Sequence, residues 1–132
     1  MLRAALLWCV LAWACPSLVQ AQPAGWTLVQ PFSVHENSGA TLSNYQLRMT
    51  LDTASMVSAG QLRPDAADLR FGVDSAGATL MDYYIESGVN TASTVVWVKL
   101  PSLPASTTTV FFLFGGNPAA SSTSTLNVFD FV

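Results

Sequence analysis

Between positions 45 and 51 the chain alternates without a break. Tyr45, Leu47, Met49 and Leu51 are apolar, and Gln46, Arg48 and Thr50 are polar. A period of two describes an extended strand with one face in a core and the other in water. A helix cannot use that pattern, because it would scatter the apolar residues around the whole cylinder. The rest of the chain repeats the theme. Runs rich in β-branched and aromatic residues fall at 26–29, 32–35, 69–73, 79–86, 94–100 and 107–114. Turn residues part them, most clearly Asn37-Ser38-Gly39, Asp74-Ser75-Ala76-Gly77 and Gly115-Gly116-Asn117-Pro118.

About seven or eight short strands at roughly ten-residue spacing predict an all-β fold, an antiparallel β-sandwich of jelly-roll-like type. The run Val110-Phe111-Phe112-Leu113-Phe114 is apolar on both faces, as expected of a strand at the centre of packed layers. Residues 69–73 and 79–86 read as a hairpin around the Asp74 turn. Residues equally distant from the turn face each other, so Arg70 is expected opposite Met81 or Asp82. Asp82 is then its expected ion-pair partner, with Asp68 and Glu86 the other acids near it. Asp52 or Thr53 is expected to cap one helical turn that Gly60 ends. Pro31 should mark an edge or a kink, and Pro101 should end the strand before it.

The N-terminus follows a different logic. Arg3 precedes an almost uncharged run over residues 4–19, and Val19-Gln20-Ala21 offers small residues for cleavage before Gln22. Residues 1–21 therefore read as a signal peptide, which implies a periplasmic or extracellular product. Pro16, Ser17 and Gln20 break the run short of the roughly 20 apolar residues that span a bilayer. Retention as an anchor and lipidation of Cys15 are the alternatives. Both cysteines, Cys9 and Cys15, lie in the leader, so no disulfide is expected in the remaining domain at 22–128. Val128-Phe129-Asp130-Phe131-Val132 reads as a strand that stops without a turn. Residues 129–132 are thus expected to begin a following segment, and the chain to be a fragment. Membrane contact would come only through a lost C-terminal part or an uncleaved leader.

Eight acids face five bases, a formal net charge of −3. No Lys or Arg cluster exists, which excludes the electrostatic footprint of a nucleic-acid binder and of an anionic-lipid binder. The lone histidine, His35, has no cysteine partner outside the leader, and no Gly-x-Ser-x-Gly elbow is present. Asp82 and Glu86 would lie about 13 Å apart on one strand, too far for a glycosidase pair. No enzyme is expected. Asp65, Asp68 and Asp74 form the best acid group, making calcium the one cofactor to consider; Arg63 and Arg70 lie close enough to neutralise it. Of the aromatic residues, Trp97 and Tyr84 are the first candidates for an exposed sugar-stacking platform, the others being expected in the core.

Several motifs then occur in a familiar order: Asp65-Ala66-Ala67-Asp68-Leu69-Arg70-Phe71, Asp74-Ser75-Ala76-Gly77, Tyr84-Ile85-Glu86 and Val96-Trp97-Val98-Lys99-Leu100-Pro101. With Gly116-Asn117-Pro118 and Val128-Phe129 they resemble the bacterial family called domain of unknown function 2341, from Trp26 to about Phe129. Where that family tends to have a tyrosine before Gly-Asn, this chain has Gly115. The resemblance implies an exported β-sandwich module without an assigned catalytic residue. It also implies a place ahead of a concanavalin- or laminin-G-like domain, or within a MotA/TolQ/ExbB-type proton-channel protein. The expected function is a non-catalytic binding module of a larger envelope protein, recognising a glycan or a neighbouring protein domain. A periplasmic contact domain of a proton-channel protein is the alternative, and an enzyme accessory domain the remote one. Inside the motifs, Arg70, Asp68, Asp82, Gly116 and Asn117 are expected to be structural.

Overall fold

In the computed structural model, which describes residues 22–130, seven strands form two antiparallel sheets packed as a sandwich. In chain order they are β1 (Leu28–His35), β2 (Leu42–Leu51), β3 (Arg70–Gly72), β4 (Leu80–Met81), β5 (Tyr83–Ser87), β6 (Thr94–Leu103) and β7 (Thr108–Gly115). Sheet A runs β1-β7-β3-β4 and sheet B runs β2-β6-β5. The leader at 1–21, with both cysteines, and Phe131 and Val132 lie outside the described residues. Among the described residues no helix is long and apolar enough to cross a membrane.

The alternation of 45–51 sets the register of sheet B. Tyr45, Leu47 and Met49 pair with Leu100, Val98 and Val96, all three of which are buried. Gln46, Arg48 and Thr50 pair with Lys99, Trp97 and Val95 on the opposite face. From sheet A, Phe71, Phe111 and Leu113 enter the same core. Phe71 meets Tyr83 at 5.5 Å and Phe111 at 6.4 Å between ring centroids, so aromatic rings tie the two sheets together. β7 is central in its sheet, which is why its sequence is apolar on both faces.

The helical turn forms as its end signals require. Helix α1 (Thr53–Ser58) is capped by Asp52, whose carboxylate accepts from Ser55 N at 2.9 Å. Gly60, at φ +70°, ends it: Gly60 N bonds Val57 O and Gln61 N bonds Met56 O, the Schellman pattern.

Several expectations need correction. The run 79–86 is not one strand, because β4 lies in sheet A, β5 lies in sheet B, and the chain changes sheets at Asp82. Pro31 does lie on an edge strand, as expected, but the runs 26–29 and 32–35 on either side of it join in the single strand β1. Pro101 does not end β6, which continues to Leu103. Residues 128–130 also form no strand; a 3-10 turn covers Leu126–Val128.

Glu36, at the end of β1, is buried although it is an acid. Its carboxylate accepts from Ser106 N at 2.9 Å, Gly39 N at 3.0 Å and Ser38 N, joining the β1–β2 loop to the β6–β7 loop. The Ser106 N–H, followed by Ser38 and Gly39, holds the Glu36 carboxyl down at about 2, against an ordinary 4.5. A depressed carboxyl stabilises the fold above its unfolded pKa, and the effect fades as pH falls toward the folded value. Denaturation of wild type and Glu36→Gln should therefore differ most above pH 4.5 and converge as the pH drops toward about 2. Curves separated by a constant interval over that range would show that the carboxylate is not the group responsible.

Candidate binding surface

Three strands align one row of side chains on the outer face of sheet B. Trp97 of β6 lies between Arg48 of β2 and Tyr84 of β5. A β-bulge between Ile85 and Ser87 shifts the register there and re-aims Glu86. Trp97 Nε1 donates to Glu86 Oε2 at 2.6 Å, and Arg48 Nε lies 3.8 Å from the same oxygen. The two aromatic residues expected as a platform are thus neighbours.

They are also partly covered. Phe129 packs edge-on against Trp97, at 5.4 Å and 67°, and against Tyr84, at 6.0 Å and 70°. Residues 124–130 form a strap that holds it there. Ser124 Oγ accepts from Ile85 N, Thr125 N donates to Tyr83 O, and Val128 is fully buried. Lys99 Nζ completes the strap by bonding Asp130 and Asn127 O. The Val128-Phe129 pair was the sequence signal for this contact, although as a strand pattern it pointed elsewhere.

Arg70 is buried, as a structural residue should be, but its partners differ from those expected. Its guanidinium donates to the carbonyls of Ala67 at 3.0 Å, Leu69 at 2.7 Å and Ser121, and stacks 5.6 Å from the Trp26 ring. No ion pair with Asp82, Asp68 or Glu86 forms among the described residues. The register does extend from Phe71↔Met81 toward Asp82, but the change of sheet removes that side chain from β3.

Asp68 is engaged elsewhere. Fully buried, it accepts from Arg63 N at 3.0 Å, Gly116 N at 2.8 Å and Asn117 N at 3.0 Å. Gly116, at φ +79°, and Asn117 serve as the turn that presents those two N–H groups. A side chain at Gly115 would run into the Gln61 carbonyl, so glycine permits a close backbone approach here.

The three acids considered for calcium are not gathered. Asp68 is occupied as described, Asp65 bonds Arg63 and Ala67 N, and Asp74 closes its own turn with Ala78 N and Thr79 N. The Ala78 N–H lowers the Asp74 carboxyl. No group of three metal-ligating side chains occurs among the described residues. His35 shares a 2.9 Å hydrogen bond with Thr108 on the paired strand.

A sequence profile for the domain of unknown function DUF2341 matches residues 65–132, which carry β3 to β7 and the strap. The chain belongs to the DUF2341 family. Neither the curated proteins nor the solved structures contain a match. The DUF2341 segment opens on the Asp68 and Arg70 cluster and closes on the strap, and the edge strands β1 and β2 pair onto it from outside the matched region.

Both buried charges should show in stability. Removing Arg70 leaves two buried carbonyls and the Ser121 oxygen without their donor. Arg70→Ala should cost about 2–3 kcal/mol, and Lys should not restore it, lacking the fork geometry. Arg48→Ala, at a half-exposed side chain, should cost under about 1 kcal/mol. Equal shifts in a urea titration would make Arg70 an ordinary surface charge. By the same assay Asp68→Ala, which strands three backbone N–H groups, should cost about 3 kcal/mol or more; a loss under 1 kcal/mol would contradict the assigned role.

Proposed function

We propose that this DUF2341 chain is an exported, non-catalytic recognition module of a larger bacterial envelope protein, with a glycan as its ligand. The observation that carries the proposal is the outer face of sheet B. Trp97, Tyr84, Glu86, Arg48 and Lys99 sit together there, a mixture of ring faces and hydrogen-bonding groups suited to sugars. Acids that might otherwise do chemistry serve the fold: Glu36, Asp52, Asp68 and Asp74 are each bonded to backbone N–H groups. The leader read at 1–21 supports export and a periplasmic or extracellular location.

A protein ligand is the second reading, favoured by Phe129. A polypeptide side chain already fills the space over Trp97 and Tyr84, so the face accepts protein as well as ring surfaces. A neighbouring domain, or a proton-channel assembly in which the module makes the contact, would use the surface that way.

Two measurements test the proposal. The exported product should begin at or near Gln22 by mass spectrometry; stable cytoplasmic protein with an intact Met1 would overturn export. On a glycan array the same product should retain at least one saccharide class. An empty array, with a protein partner whose binding is lost in a Trp97→Ala variant, would replace the glycan by the second reading.

A further inference from the structure

The change of sheet at Asp82 leaves a gap. Pairing of β6 with β5 stops at Tyr83↔Val98, and Lys99 N still donates to Asp82 O, yet β6 runs on to Leu103. Beside that stretch, where β5 would have continued, lies a notch of about 320 Å3. Asn44, Thr79, Asp82 and Lys99 supply its polar lining, and Val73, Met81 and Pro101 belong to its apolar walls.

Three of the four polar side chains of this notch are uncommitted, while the Lys99 ammonium is held by Asp130 and the Asn127 carbonyl. Seven of the chain's eight acids have a side-chain hydrogen bond or ion pair among the described residues, and Asp82 has none. The Asn44 amide and the Thr79 hydroxyl likewise have no hydrogen-bond partner among the described residues. Asn44 is held at φ +51°, between the Ser43↔Ser102 and Tyr45↔Leu100 pairs of β2 and β6. A carboxylate, an amide and a hydroxyl around an apolar wall match vicinal hydroxyls above a C–H face. Asp82 stands there without an ion pair, which disfavours an anion, and no group of three metal-ligating side chains gathers among the described residues to hold a cation. The volume sits at the low end of small-molecule pockets, roughly 300–1,000 Å3, and suits one ring.

We propose that this notch, which shares Lys99 with the outer face of sheet B, is a saccharide subsite that reads a single pyranose ring of a neutral glycan. It rests on the glycan reading above. Asp82 accepts from two hydroxyls, Asn44 donates and accepts beside it, and Thr79 bonds a third hydroxyl.

Nuclear magnetic resonance titration of the exported product with glucose, galactose, mannose and their short oligosaccharides tests the assignment. Amide shifts are expected at Asn44, Thr79, Asp82 and Lys99, with Trp97 and Tyr84 little moved. Asp82→Asn and Asn44→Ala should each weaken binding about tenfold, the loss of one good hydrogen bond to a sugar. Both positions are exposed, and unchanged spectra elsewhere would show that the variants fold. Saccharide shifts centred on Trp97 and Tyr84, untouched by Asp82→Asn, would overturn the notch while leaving the glycan reading intact. Shifts with none of these sugars, together with the empty array described above, would overturn both.

Discussion

One buried residue, Asp68, ties three parts of the chain together. Arg63 N comes from the connection between α1 and β3, while Gly116 N and Asn117 N come from the turn after β7. The Asp68 carbonyl adds a fourth attachment by accepting from Trp26 Nε1 at 3.0 Å, which binds the segment before β1. Burying a carboxylate costs several kcal/mol unless hydrogen bonds replace its water shell. Three backbone donors do so here without any counter-ion. Arg70, two residues on, is treated symmetrically, with its charge met by carbonyls. The two opposite charges stay apart because each is already satisfied by main chain. The arrangement therefore fixes loop geometry, which a direct ion pair between neighbours on one strand would not.

That fixed end frees the opposite feature, the change of sheet at Asp82. A strand that leaves one sheet for the other closes the side of the sandwich where β4 and β5 meet, and this helps bury Met81 and Tyr83. The cost appears on β6, which loses its neighbour past Lys99. Pro101 fits that loss. N–H groups two residues apart on a strand point the same way, and Lys99 N points toward Asp82. The N–H that proline lacks would have faced the notch, where β5 no longer offers an acceptor. A residue that seemed to end a strand instead marks the place where its partner ends.

The same contrast explains which features were legible in the sequence. Alternation at 45–51, the Asp52 cap, the Gly60 stop and the Asp74 turn are local, and each is decided by residues within a few positions of one another. Sheet membership is not local. Period-two patterning continues through Leu80, Asp82 and Tyr84 on one side and Met81, Tyr83 and Ile85 on the other, whichever sheet each residue joins. Arg70 was consequently recognisable as structural, whereas its carbonyl partners, one of them 51 positions away at Ser121, were not. Trp97 and Tyr84 could be placed on one face, but Phe129 covering them depends on a 3-10 turn that no strand pattern reveals. Asn44 gave no signal at all, since an asparagine at positive φ is read only from the backbone.

Lys99 connects the strap to the notch. Its side chain lines the notch, while its ammonium bonds Asp130 and the Asn127 carbonyl in the strap. Asp130 is exposed, so this pair is weak by itself, and the buried Val128 and the Phe129 ring contacts carry most of the attachment. A ligand group that recruited the ammonium toward Asp82 would loosen only the outermost strap contact. The aromatic row would stay covered. Seating of the strap and occupancy of the notch are therefore compatible, and the two surfaces can serve a polypeptide segment and a small polar ligand at the same time.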